Sequence, residues 1–321
     1  MSHITGVVIL NYNNATDTIA CVNSLYRHTN GSAYKIVVVD NGSSAQTIEA
    51  IDRYVAGFDS HTLLNDGESS HTQTLPFITH LRVGQNLGYA QGNNKGLELL
   101  YADEAVTRVM ILNNDILLTE DIITPLNKDL DSLPNAAIVT PLLYKRDSVT
   151  IDQNCARKAP TLAQIFGLWA VLHRTSFGVM ERIYHAQHLL PNSPANERFV
   201  RVELPSGSCM LCDKEFFRSI GSFDPNTFLY YEENILWEKI RPLGLYNYLD
   251  KSVSCIHLGA ATTKTKSTSA FIANALIGST RYFVRKYTNA GALYRGCLEV
   301  FFALFRLKIK IRECLECIWQ K

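Results

Sequence analysis

The run "RVMILNND" (108–115) ends on three short hydrogen-bonding residues, Asn113-Asn114-Asp115. A carboxylate flanked by amides at that point is suited to a divalent cation, which prefers oxygen ligands. The plainer alternative is an Asx turn after a strand, which needs the same residue types. Asp40, in "KIVVVDNGS" (35–43), has the same two readings: it could receive a ribose or base, or cap a helix. Glu232-Glu233 stands in "FLYYEENILWEKIRPLG" (228–244), among Phe228, Tyr230, Tyr231 and Trp237. A carboxylate in aromatic surroundings at a helix N-terminus can be tuned as a general base. Acidic residues also sit at helix starts for the dipole alone. His257 stands in "CIHLG" (255–259) after a strand, and read by itself is a satisfied core histidine.

These residues need elements that bring them to one place. "GVVILNYNN" (6–14), "KIVVVDNGS" and "RVMILNND" each begin with a dense β-branched run and end in Asn, Asp, Gly or Ser. Continuous apolar runs read as strands buried on both faces, the habit of parallel sheets. "ATDTIACVNSLYRHT" between the first two has Ile19, Val22, Leu25 and Tyr26 at helical spacing, and "AQGNNKGLELLYADEA" precedes the third. Strand–helix–strand units of this kind place ligands outside the carboxyl ends of the strands. All three polar endings then fall on one rim. "VGQNLGYAQGNN" (83–94), with Asn86, Asn93 and Asn94 among glycines, reads as a loop that approaches a ligand, or as an ordinary helix start.

Elsewhere, 59–76 is polar and turn-rich, a surface excursion or hairpin. Helices are expected near 121–132 and 161–187. "LPSGSCMLCDKEFFRSIGSFD" (204–224) reads as a strand, a short helix and a Gly stop; Gly244 ends the helix that Glu232-Glu233 begins. Beyond 270 the chain is helical and rich in Phe, Leu and Tyr mixed with Arg and Lys. That mixture fits a helical cap packed on the domain, or helices lying at an anionic membrane surface.

Composition narrows the function. The 321 residues are 46% hydrophobic, enough for a large α/β domain, and 31 basic residues against 30 acidic give a net charge of +1. That balance speaks against a general nucleic-acid binder. The C-x-x-C pairs Cys209/Cys212 and Cys314/Cys317 lie too far apart for a zinc ribbon, so free thiols in a reducing compartment are expected. No signal-peptide pattern opens the chain and no apolar run is long enough to span a bilayer. A cytoplasmic protein is expected, with peripheral contact at the inner face of the plasma membrane. Neither G-x-G-x-x-G nor G-x-x-x-x-G-K-[ST] follows the first strand. A bound nucleotide would therefore have its phosphates held by a cation on carboxylates.

Taken in order, "VVILNYNN", "IVVVDNGS", "NLGYAQGNNKG", "MILNND", "LPSGSCML", "IGSFDPNTFLYYEEN" and "CIHLG" resemble the inverting nucleotide-sugar glycosyltransferases of family 2. Within that family they are most similar to bacterial rhamnosyltransferase-like enzymes of surface-polysaccharide (O-antigen type) assembly. The resemblance spans roughly residues 5–260. It implies an α/β GT-A fold, Rossmann-like, with a mostly parallel central sheet flanked by helices. The domain would cover 1–265 (1–118 the nucleotide-binding half, 119–265 the acceptor half), with 266–321 as a helical, amphipathic C-terminal extension. Asn11, Asn13, Asp40, Asn41, Asn86, Asn94 and Asn114 would bind the nucleotide. Asp115 and His257 would hold Mg2+ or Mn2+, with Asn113 standing where the family has another acid. Glu233 would be the catalytic base beside Glu232, and Gly207, Ser208 and Trp237 would line the donor and acceptor pocket. The implied reaction moves rhamnose from dTDP-rhamnose to a glycan acceptor, lipid-linked. The rival expectation is a non-catalytic nucleotide-sugar-binding protein on the same fold.

Overall fold

The computed structural model describes residues 3–29, 33–68, 74–172, 188–190, 196–259 and 268–319. The chain runs β1 (Ile4–Asn11), α1 (Ala15–His28), β2 (Ala33–Asn41), α2 (Ala45–Val55), β3 (His61–Asn65) and β4 (Ile78–Val83). It continues through α3 (Gly88–Ala102), β5 (Arg108–Asn113), β6 (Ile116–Leu118), α4 (Ile123–Ser132), β7 (Ala136–Lys145), β8 (Ala156–Arg157) and α5 (Leu162–Leu172). Then come β9 (Phe199–Val202), β10 (Leu204–Pro205), β11 (Cys209–Asp213), α6 (Lys214–Ser219), α7 (Glu232–Ile240) and β12 (Tyr246–His257). Two long helices, α8 (Thr268–Tyr287) and α9 (Ala292–Trp319), follow.

The first half of the main sheet, β3-β4-β2-β1-β5, is entirely parallel. Its strands carry β-branched runs because both of their faces are covered. On β1, Val7 and Ile9 pack under α1 and α2, while Val8 packs under α3. On α1 the core face is Thr18, Cys21, Val22 and Leu25; Ile19 is only half-buried and Tyr26 is mostly exposed. β3 joins as a parallel edge strand, so 59–76 is an excursion that returns the chain in the same direction and not a hairpin.

The second half is mixed. β11 seats antiparallel between β5 and β7, and β12 runs parallel to β7 but antiparallel to β6 and β9. Cys209 and Cys212, three residues apart on β11, pack into the two opposite core layers. That alternation removes them as a shared metal pair. The expected helix at 161–187 is seen as α5; its remainder lies outside the described residues.

The C-terminal helices close a third apolar cluster. Ile165 and Trp169 of α5, Ile235 of α7, Ile277 and Phe283 of α8, and Leu298 and Phe302 of α9 are buried together. Edge-on packing of Trp169 against Phe302, centroids 4.6 Å apart, marks its centre.

Candidate active site

The three polar strand ends do share a rim: Asn11 stands opposite Asp40, and Leu10 opposite Asn113. The Asn11 amide donates to Asp40 (2.8 Å) and to the Ser43 hydroxyl (3.2 Å), and Asp40 also accepts the Ser43 backbone N–H (2.9 Å). Asp40 and Asn11 are fully buried, so neither carboxylate nor amide is wasted on water. Beside them, Asn41 donates to Asn86 (3.1 Å) and to the Gly88 carbonyl (3.0 Å). The Asn13 amide oxygen accepts the Ser44 N–H at 2.8 Å, with Asn13 itself in the left-handed region. From Asn11 the network passes through the Thr18 hydroxyl (2.8 Å) to Asn114 (3.0 Å), linking the Asp40 corner to the next strand end.

At that corner His257, the last residue of β12, lies between two carboxylates. Its Nδ1–H donates to Asp152 (2.8 Å), and its Nε2 pairs with Asp115 (3.3 Å). Burial works against the charged ring, but the hydrogen bonds to Asp115 and Asp152 outweigh it and raise its pKa to about 9. The other carboxylate oxygen of Asp115, Oδ1, is buried with no hydrogen-bond partner. An orphaned acidic oxygen next to an imidazole nitrogen fits the donor set of a divalent cation. Among the described residues no group of three or more His, Cys, Asp or Glu side chains is arranged to hold a metal ion by itself.

Glu232 and Glu233 open α7 from a strained turn, for the two preceding residues, Tyr230 and Tyr231, both have φ above +70°. Such conformations cost on the order of 1–3 kcal/mol each in a non-glycine residue and persist only where neighbours hold them. Here Tyr231 packs on Phe283 of α8 (5.0 Å), and Ser279 of α8 donates to the Leu229 carbonyl (2.8 Å). Gly88, with φ of +80°, lets α3 abut the same loop: a Cβ there would lie 2.2 Å from the Phe228 carbonyl oxygen. Lys239, in the last turn of α7, donates to the Ser222 carbonyl (2.8 Å) and pins the loop's other end.

The two glutamates have different surroundings. Glu232 is 6% exposed, its Oε1 has no hydrogen-bond partner, and burial, then the neighbouring Glu233, pushes its pKa up to about 8. Glu233 accepts the Gly207 N–H at 3.0 Å and pairs with the Arg157 guanidinium at 3.5 Å. Tyr89, its hydroxyl kept protonated by burial, donates to the Gly207 carbonyl (2.7 Å). Gly207 must be small: a Cβ would meet Tyr89 Oη at 2.9 Å and Glu233 Oε1 at 3.0 Å. The next residue, Ser208, offers its carbonyl to the Asn113 N–H (2.8 Å), so β11 ties the glutamates to the rim.

A cavity of about 400 Å³ opens over these groups, lined by Asn113, Gly207, Ser208, Glu232, Glu233 and His257, with Arg157 and Tyr89 in its wall. Leu276 of α8 and Ile165 of α5 also reach it, so the C-terminal layer forms part of the wall. Two expected residues sit apart. Asn94 spends both amide atoms on the backbone of Phe223, and Trp237 packs on the core beside α3, outside the cavity lining. Asp152 and Arg157 were missing from the residues singled out in the sequence. They lie in "VTIDQNCARK" (149–158), Arg157 on the two-residue strand β8, and the only sequence cue there is an Asp followed two residues later by Asn.

A nucleotide-type α/β sheet with a carboxylate corner and a glutamate pair across one cavity defines the GT-A class. Residues 6–182, more than half of the chain, match glycosyl transferase family 2, and the chain belongs to that family. It is 25% identical over 228 residues to the low-salt glycan biosynthesis hexosyltransferase Agl10 of Haloferax volcanii. That match covers 71% of this chain, which spans only 58% of the relative's length. Among solved structures the fold is similar to GalNAc-T7 with UDP, GalNAc and Mn2+ (TM-score 0.59, 14% identity, 97% of this chain and 57% of that one). It is also similar to the mannosyltransferase PcManGT of Pyrobaculum calidifontis in complex with GDP-Man and Mn2+ (TM-score 0.52, 13% identity, 97% and 74%).

Proposed function

We propose that this chain is an inverting glycosyltransferase that moves a sugar from a nucleotide donor to a glycan acceptor. The observation that carries the reading is one cavity lined by both Glu233 and His257, with Asp115 directly behind the imidazole. The nucleoside would lie over Asp40, Asn11, Asn41 and Asn86, where the polar rim offers both donors and acceptors. Asp115 and His257 would hold Mg2+ or Mn2+. Bound there, the cation would offset the charge of the departing nucleoside diphosphate as a Lewis acid.

The remaining chemistry belongs to the chain's own residues. Glu233 takes the proton from an acceptor hydroxyl as that oxygen attacks the anomeric carbon from the face opposite the diphosphate. One bond forms, one breaks, and the configuration inverts. The Gly207 N–H and Arg157 hold the Glu233 carboxylate in place for that transfer. Glu232, its carboxyl kept neutral by burial and by its neighbour, adds no charge of its own where the hydroxyl must approach. Asp152, by accepting the Nδ1–H, holds the ring with Nε2 turned toward Asp115, where a bound cation would take the place of the Nε2 proton.

The resemblance to bacterial rhamnosyltransferase-like enzymes alone suggests rhamnose from dTDP-rhamnose as the donor sugar and a bacterial surface glycan, lipid-linked, as the acceptor. It also supports a division into a nucleotide half (1–118), an acceptor half (119–265) and the helical extension. A calorimetric screen of nucleotide sugars with Mg2+ and Mn2+, followed by assay of acceptor-dependent nucleoside diphosphate release, tests the reading. Binding with neither slow donor hydrolysis nor acceptor-dependent release would instead make the chain a nucleotide-sugar-binding protein.

A further inference from the structure

α9 has two apolar faces, and only one is used by the fold. Phe301, Phe302 and Phe305 turn inward onto Phe166 and Trp169 of α5. On the other side Leu293, Val300, Leu304, Leu307 and Ile311 are between 40% and 84% exposed. At about 100° per residue these five fall within an arc of roughly 60° of the helix circumference. Val300 to Ile311 make a row of large aliphatic side chains in water over about three turns, with Leu293 about two turns before it on the same side, and such rows are what monomeric surfaces avoid.

Charge accompanies the row. Arg306, Lys308, Lys310 and Arg312 follow on the same turns and all four are exposed, Arg306 with its Nε–H donated to Asn274 of α8 (3.0 Å). The acid on this stretch, Glu299, is turned back to α8, where Arg281 donates to it twice (2.6 and 2.7 Å). No helix among the described residues is long and apolar enough to cross a membrane. Aliphatic side chains bordered by lysine and arginine suit a helix lying in the plane of a lipid surface, its stripe among acyl chains and its cations at the headgroups.

We propose that the outward stripe of α9, Leu293 through Ile311, docks the protein on an anionic bilayer while the inward face completes the fold. This inference rests on the reading of the acceptor as lipid-linked. It assigns the contact to one face of one helix, and α8 serves the cavity wall instead. The placement has a consequence for the reaction. α9 packs on α5, and α5 contributes Gln164, Ile165 and Leu168 to the cavity. A headgroup-linked acceptor would therefore meet the cavity beside the anchoring helix.

Vesicle flotation of the full chain tests this. Wild type is expected to float with phosphatidylglycerol-containing vesicles and stay down with pure phosphatidylcholine. The triple variant Leu304→Ser, Leu307→Ser, Ile311→Ser should lose about tenfold in vesicle-bound fraction, since its changes remove apolar area that enters the bilayer. Circular dichroism and nucleotide-sugar binding of that variant should match wild type, since all three side chains face solvent. Equal flotation of variant and wild type, or equal flotation on neutral lipid, overturns the proposal. A wild-type dimer that the triple variant abolishes, without flotation of either, would assign the stripe to a second copy of the chain and overturn it too. Donor binding, measured separately, tells this failure from failure of the glycosyltransferase reading.

Discussion

The Glu233 carboxylate accepts the backbone N–H of Gly207 at 3.0 Å, joining the first turn of α7 to the loop before β11. That bond places an acidic oxygen from one element against a small residue of another, over the cavity where an acceptor would enter. It also separates Glu233 from Glu232, whose carboxyl is enclosed. The functional contrast between the two can be measured.

Glu233→Gln should lower acceptor-dependent transfer by about 10²-fold or more, the usual worth of a positioned general base. Donor binding measured by calorimetry should persist. Glu232→Gln should retain most of the turnover, because amide and neutral acid have the same shape and both lack charge. Wild-type turnover in Glu233→Gln would remove it as the base. A collapse in Glu232→Gln would mean that an ionised Glu232 is required.

The same Glu232 sets a pH dependence of stability. Its pKa in the folded chain is raised to about 8, above the ordinary carboxylate value, through burial first and Glu233 second. The stability tied to its protonated form is fully present below the ordinary carboxylate pKa, and is lost as the pH rises through about 8. Thermal unfolding of Glu232→Gln should therefore gain on wild type between pH 5 and pH 9, a gain read as the difference in Tm at the two ends. A constant Tm difference across that range would contradict the assignment.

Asp152 is expected to act through His257. Asp152→Ala should weaken Mn2+ binding by about 10–100-fold, the usual effect of losing the carboxylate behind a ligating histidine. Electron paramagnetic resonance of free Mn2+ in the presence of donor nucleotide gives the affinity directly. Asp152→Asn, whose side-chain oxygen still accepts the Nδ1–H, should recover much of it. His257→Ala should lose at least as much as Asp152→Ala. If His257→Ala binds Mn2+ normally, the histidine is no ligand; if only Asp152→Ala does, the positioning role fails.

Gly88→Ala should destabilise the fold by more than the roughly 1–2 kcal/mol that a left-handed L-residue costs. The added Cβ would also press on the Phe228 carbonyl. Because that loop leads into α7, transfer should fall together with Tm. An unchanged Tm would show that the loop gives way freely.

Much of the nucleotide side was readable from the residues. Val7–Leu10, Ile36–Val39 and Val109–Leu112 are β-branched and leucine-rich because helices cover both faces of the sheet, and their polar ends mark the rim by themselves. The acceptor side was less readable. Asp152 and Arg157 belong to a segment with no period, and acquire meaning only from His257 and Glu233, far along the chain. Asn94 and Asn41 look alike in sequence, and both bond backbone, one to Phe223 away from the rim and the other to Leu87 and Gly88 beside it. The C-terminal pattern offered packing and surface contact as rivals. The structure puts the packing on α9's inner side, which leaves its outer stripe for the surface contact proposed above.

The position of β11 has a consequence for how the chain is made. It pairs with β5 and β7, both earlier in the chain, and fills the gap between them. While a ribosome is still producing residues before 209, β5 presents an unpaired backbone edge and β7 lacks both of its neighbours, β11 and β12, a state that invites wrong partners. The nascent N-terminal half thus emerges as the parallel sheet β3-β4-β2-β1-β5 with β5 as an open edge. Chaperone protection of that stage, and release once β11 arrives, would be the expected rhythm of its biogenesis.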